Sequence, residues 1–283
     1  MVVHIPRRFP VFIMRKEVEN TGRFPWLLAL SLCLIALCNP GANAYAAVGN
    51  AGASYPVILS SPADYQAGIS PGSPPQLVWQ DAIRHPGASY IAVHFRDFDL
   101  GPGDLVIIHD GKGGQRYELT GRGKMSAGTF WARHIKGERL AIELYTSGQA
   151  GGIGYQIDEY AAGYPAVATP GLQSVCGTDD KANAACYAAS HTTEYARARA
   201  VARLLIEGTI YCSGFLISSN NHFLTNQHCI TNETDALDTD FEFMAEAPTC
   251  TNANSRGAFA GTLFSGSVAI HINTNLDYAL VRI

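Results

Sequence analysis

Alternation dominates the middle of this chain. Ile91, Val93 and Phe95 recur at every second position, as do Leu140, Ile142 and Leu144, and a period of two turns one face of a strand to a core and the other to solvent. Leu105-Val106-Ile107-Ile108 is instead a continuous apolar run, the pattern of a buried strand. Gly101-Pro102-Gly103-Asp104 and Asp110-Gly111-Lys112-Gly113-Gly114 supply turns, and Gly151-Gly152 interrupts the approach to a last strand over Tyr155 to Tyr160. Strands joined in this way predict a small antiparallel β-sandwich over 76–164. Residues 45–75 carry Pro, Gly, Ser and Ala instead, and are expected to be a loop-rich lead-in.

Tyr164-Pro165-Ala166-Val167-Ala168-Thr169-Pro170-Gly171 cannot build a core, so 165–175 reads as a linker. Beyond it, Val201 to Ile206 and Thr209 to Ile217 read as a hairpin around Glu207-Gly208, followed by His222 to Thr225. Val268, Ile270 and Ile272 then alternate ahead of a short apolar run that starts after Asp277. Glu194 to Arg203 has some helical character, but the strand from Val201 is the stronger pattern. Strands at this spacing suggest a barrel over 176–283, and the whole chain is read as all-β: an antiparallel sandwich, then a barrel.

Composition narrows the class. The 283 residues are 47% hydrophobic and 16% charged, a globular balance, and a net charge of -4 argues against nucleic acid as a partner. Arg15, Lys16 and Arg23 precede the apolar run from Trp26 to Cys38, which Pro40 and Gly41 break before Ala42-Asn43-Ala44. That is the layout of a secretory signal over 1–44, cleaved after Ala44 or Ala46, with Met14 as an alternative start. Cys38 raises a lipoprotein reading, which Leu37 disfavours because a lipobox needs a small residue there. The mature protein is therefore expected to be secreted or periplasmic, with no stable membrane anchor. Cys33 and Cys38 leave with the leader, and Cys176, Cys186, Cys212, Cys229 and Cys250 enter an oxidising compartment where disulfides form.

The chemistry gathers at Cys212-Ser213-Gly214-Phe215-Leu216-Ile217 and Leu224-Thr225-Asn226-Gln227-His228-Cys229, with Asn275-Leu276-Asp277-Tyr278-Ala279-Leu280-Val281 behind them. A cysteine on each strand of one hairpin lets the bridge Cys212–Cys229 pin His228. An imidazole acts as a base toward a hydroxyl in one tautomer only, and a carboxylate on its other nitrogen fixes that tautomer. Other readings are a structural histidine beside a disulfide, and zinc held by Cys212, His222, His228 and Cys229, whose spacing fits no familiar zinc pattern.

These motifs resemble the first half of a trypsin-like serine protease, in that family's order, and the placing of Cys176, Cys186 and Cys250 is most similar to its bacterial lysyl endopeptidase branch. The resemblance implies a Ser-His-Asp endopeptidase acting on protein or peptide substrates without a cofactor, His228 as general base, Asp277 as the residue that orients it, and a second bridge, Cys186–Cys250. Asn226-Gln227 stands where the family usually has two small residues. No Gly-Asp-Ser-Gly motif occurs, so nucleophile, oxyanion hole and specificity pocket are expected beyond Ile283, and the chain as given is expected to be an inactive fragment. The alternative is a secreted binding protein whose sandwich recognises carbohydrate or protein and whose half barrel is a relic.

The sandwich segment is similar to a CUB domain in Phe95-Arg96-Asp97-Phe98-Asp99-Leu100, in Gly103 to Gly111 and in Gly154-Tyr155, without the usual cysteines. Many CUB domains bind calcium, which makes Asp97, Asp99 and Asp104 candidates, although Ser147-Gly148-Gln149 lacks the further aspartate of calcium-binding members. Solvated loop carboxylates are the plainer reading. Arg116, Arg122, Lys124, Arg133, Lys136 and Arg139 are likewise read as a solvated basic face.

Overall fold

The computed structural model describes the backbone of Arg15–Glu19 and residues 49–165, 182–251 and 259–283. The remainder of the leader, the linker from residue 166 onward and Cys176 lie outside the described residues.

Among the described residues eleven strands precede the linker: β1 (Arg15–Glu19), β2 (Gly49–Asn50), β3 (Gly52–Ser60), β4 (Gln76–Arg84), β5 (Tyr90–Leu100), β6 (Leu105–His109), β7 (Arg116–Leu119), β8 (Phe130–Trp131), β9 (Ile135–Lys136), β10 (Arg139–Thr146) and β11 (Gly152–Gly163). One sheet runs β1-β4-β10-β6-β7 and the other β3-β11-β5-β8, with β9 also on β5. All pairs are antiparallel except β1 with β4. A leader cleaved after Ala44 would take β1 with it and leave β4 at the sheet edge. The alternating residues meet between the sheets: Ile83, Val106, Ile108, Leu140 and Ile142 from one, and Ile91, Val93, Phe95 and Ile157 from the other. Phe95 packs its ring against Phe98, Phe130 and Tyr155, with centroids 5.0 to 5.5 Å apart.

The lead-in needs correcting. Residues 52–60 form the nine-residue strand β3, paired with β11 across the sheet, so the sandwich starts well before Gln76. Pro56 obscured it, and the topology explains why it is tolerated. β3 is an edge strand, where a missing N–H leaves no ladder bond unmade on the open side.

After the linker come α1 (Thr192–Ala198), β12 (Val201–Ile206), β13 (Ile210–Leu216), β14 (His222–Thr225), α2 (Glu233–Leu237), β15 (Thr239–Phe243), β16 (Thr262–Ser265), β17 (Val268–Asn273) and β18 (Tyr278–Arg282). The helical character and the strand pattern near Val201 both hold, in adjacent segments. The sheet order is β16-β15-β12-β13-β14-β18-β17. Its two end strands are separated only by Gly266 and Ser267, and Gly266 has φ +86°, so they are halves of one bent strand that closes the sheet on itself. Phe223, Phe241 and Phe243 fill the interior, with ring centroids 5.0 and 6.0 Å from Phe223.

Sandwich and barrel share a polar interface. β2 pairs with β13, and the three-residue loop of the β12–β13 hairpin, Glu207-Gly208-Thr209, has positive φ at Glu207 and Gly208 and is closed by Thr209 N donating to Ile206 O at 3.1 Å. Tyr90 Oη donates to Gly208 O at 2.8 Å, and a Cβ on Gly208 would lie 2.8 Å from the Ala161 Cβ. Asp238, Asp240 and Glu242 recur at every second position, and each meets the sandwich segment 131–136. Asp238 accepts from Trp131 N at 2.8 Å, Asp240 from His134 N and Nδ1 at 3.0 and 2.7 Å, and Glu242 from Lys136 Nζ at 2.9 Å. Lys124 is buried, donates to Leu237 O at 3.2 Å and lies 3.9 Å from Asp238. Lys124 and Lys136 therefore do not belong to a solvated basic face: a buried ammonium needs a carboxylate or carbonyl partner, and the barrel provides it. Arg116 and Arg122 are exposed.

Candidate functional site

The register between β14 and β18 builds the site. Thr225 pairs with Ala279, so the residues that follow β14 and the residue that precedes β18 emerge side by side at one end of the barrel. Thr225 Oγ1 donates to Ser213 O at 2.8 Å, and the disulfide from Cys229 to Cys212 ties the far side of the turn to β13. Between these anchors Asn226 O accepts from Cys229 N and Ile230 N at 3.2 and 3.3 Å, which winds the segment into a single turn carrying His228.

Asp277 sits opposite, 49 residues on, with φ +47°. Its carboxylate takes His228 Nδ1 at 2.8 and 3.0 Å and His228 N at 3.0 Å. Asn226 Nδ2 adds bonds to Asp277 Oδ2 and to its main-chain oxygen, both at 3.2 Å. These donors, the His228 N–H foremost, hold the Asp277 carboxyl below the usual carboxylate range. A donating Nδ1 leaves the lone pair of a neutral imidazole on Nε2. Among the described residues nothing hydrogen-bonds Nε2, and the two side chains are 38% and 46% exposed. The pair can therefore accept a proton from a hydroxyl brought to it from solvent or from another element.

The zinc set is gathered only in part: Cys212, His228 and Cys229 bring potential ligand atoms within 4.8 Å of one another. Cys212 and Cys229 spend their sulfurs on each other, and His222, at the opposite end of β14 from His228, bonds Ser218 Oγ at 2.9 Å. A second disulfide joins Cys186 to Cys250.

The three acidic loop residues are not gathered either. Asp97 is exposed, 3.6 Å from Arg96. Asp104 is buried, and both its oxygens are taken: Oδ1 by Thr146 Oγ1 and Ser147 N at 2.8 Å, Oδ2 by Tyr65 Oη and Gln66 Nε2 at 2.9 Å. Burial alone would raise its pKa, but these donors, Gln66 first, hold it low. Asp104 ties three loops of the sandwich together, and Asp99 lies within β5.

In the sequence Asn226 stood out only as part of a pair that brings bulk and hydrogen-bonding groups close to His228, with no partner assigned. The available signal was its position, since an amide two residues before His228 can reach the carboxylate that His228 binds.

Residues 177–283 match the family model described as the C-terminal domain of lysyl endopeptidase. The chain is also similar to Secreted RxLR effector protein 73 of Plasmopara viticola, with 34% identity over 213 residues, 69% of this chain and 52% of the effector. The chain thus spans about half the length of that curated relative, and a similarity over 213 residues is too long for the barrel segment alone, so it reaches into the sandwich. The similarity to a protease family therefore lies in the barrel segment. Its disulfides and its secreted relative agree with folding in an oxidising compartment.

Proposed function

We propose that 176–283 is the first barrel of a trypsin-like serine endopeptidase domain, that a CUB-like sandwich precedes it, and that the protein is exported as a precursor through its leader. What supports this reading most is the His228–Asp277 pair, with Nδ1 on the carboxylate and Nε2 without a hydrogen-bond partner among the described residues. His228 would take the proton of a serine hydroxyl as that oxygen attacks a peptide carbonyl, then return it to the leaving amine. Asp277 would hold the tautomer and stabilise the imidazolium. The serine is proposed to lie in sequence following Ile283, and no side-chain preference is assigned to the substrate.

A second reading has one observation in its favour, the name of the relative, a secreted effector. Here the protein is a non-catalytic secreted binding protein, and the His–Asp pair is a relic. The test is to express the complete reading frame that contains this chain and treat it with a fluorophosphonate probe. The protease reading expects one labelled serine in a Gly-Asp-Ser-Gly sequence, with labelling lost in His228→Ala. A frame that stops after Ile283, giving a folded product that takes no label, would favour the binding protein.

A further inference from the structure

We infer that Asn226 is a positioning residue of this pair: its side-chain amide clamps Asp277 in the orientation that serves His228. The inference rests on the protease reading for its purpose, but its geometry stands within this barrel alone.

Two acceptors on one residue receive the amide. Asn226 Nδ2 carries two hydrogens, and Asp277 offers its main-chain oxygen and carboxylate Oδ2, each 3.2 Å away. The opposite orientation would set Asn226 Oδ1 against a carboxylate, so the chemistry decides which end of the amide faces Asp277. The platform is fixed as well, because Asn226 O is the acceptor that winds the His228 turn. Asp277 needs such a clamp. It has φ +47°, a conformation uncommon outside glycine, and at 46% exposed no packed wall stops its side chain from swinging into water. Oδ1 is held by His228 N and Nδ1, both at 3.0 Å, and Oδ2, among the described residues, by Nδ1 at 2.8 Å and the Asn226 amide at 3.2 Å. Without the amide, Oδ2 keeps the imidazole alone, so the carboxylate is held from the His228 side only and the pair is less firmly fixed.

Two variants test this: Asn226→Ala, which removes the amide, and Asn226→Asp, which keeps its shape but replaces the donor with a like charge. The first measurement uses the present chain. Carboxyl-carbon NMR follows the titration of Asp277, and ring-nitrogen NMR follows the His228 tautomer. Both variants should raise the Asp277 midpoint, Asn226→Asp more than Asn226→Ala, and should lower the Nδ1–H fraction of neutral His228, with other resonances in place. The second measurement uses the complete protein, where Asn226→Ala should lower kcat about tenfold to a hundredfold at unchanged KM, as small misplacements of a base do. An Asp277 midpoint and a His228 tautomer unchanged in both variants would overturn the inference, whatever the activity. The expected NMR changes in a complete protein that hydrolyses nothing would leave the clamp standing and remove the protease reading.

Discussion

Two histidine–aspartate pairs in this chain share a geometry and differ in surroundings. At His134 the main-chain N–H and Nδ1 reach Asp240 at 3.0 and 2.7 Å; at His228 they reach Asp277 at 3.0 and 2.8 Å. The first pair is 5% and 7% exposed, sealed between sandwich and barrel with the Tyr90 ring 5.4 Å from the His134 ring. The second is 38% and 46% exposed at the barrel's end. A pair of hydrogen bonds from one histidine to one carboxylate is therefore not by itself a mark of catalysis. Enclosed, the unit satisfies charge that the interface has taken from water, and losing a partner is costly. Open, it contributes little to stability and keeps Nε2 available for chemistry.

The largest effect should come from breaking the enclosed pair. His134→Ala leaves Asp240 buried with its main partner gone and should cost about 3–5 kcal/mol of unfolding free energy in a urea titration. Asp277→Asn should leave the denaturation midpoint where it is. Equal losses in the two variants would erase the distinction.

The next effect is on pH dependence. Burial alone would raise Asp240, but the hydrogen bond and charge of His134 hold it below the usual range, and Arg203 does most to hold Glu242 low against its burial. An unfolded chain binds protons at these carboxyls near pH 4, while the folded chain keeps them ionised. Their stabilisation is complete above that range and is lost as pH falls through the depressed folded values. Asp238 works the other way, since burial raises its pKa and its protonation favours the folded state. The sandwich–barrel interface should hold at neutral pH and open as pH falls below the ordinary carboxylate range. Tryptophan emission, to which Trp131 at the interface contributes, would show it. Opening near pH 6 would mean that these carboxylates do not govern the interface.

The smallest expected effect is at Tyr90. Tyr90→Phe removes one buried bond to the hairpin turn and should cost about 1 kcal/mol, measured in the same titration.

What could be read from the chain follows the range of the causes. The β12–β13 hairpin is legible because alternation and a Glu207-Gly208 turn are local, and the His228 and Asp277 strands because each motif lies within a few residues. β3 is not, since the tolerance of Pro56 depends on β3 lying at an edge, which only the sheet order reveals. Lys124 and Lys136 read as surface because their partners come more than a hundred residues later. The alternation of Asp238, Asp240 and Glu242 was the visible half of that interface. A strand that presents three carboxylates on one face without water needs a donor-rich surface against it. Asn226 was visible as a hydrogen-bonding group near His228 but its partner was not, because it reaches across to the residue before β18, and that depends on register rather than on neighbours in sequence.

The most direct test compares the two histidines in one assay. In the protein made from the complete reading frame, peptide hydrolysis would be measured for His228→Ala and His134→Ala, corrected for the fraction folded. The account predicts a loss of about 10⁴-fold or more for His228→Ala at unchanged stability, and near-normal turnover per folded molecule for a destabilised His134→Ala. Turnover that survives His228→Ala, or that fails equally in both variants once folding is corrected, would contradict the assignment of chemistry to the open pair.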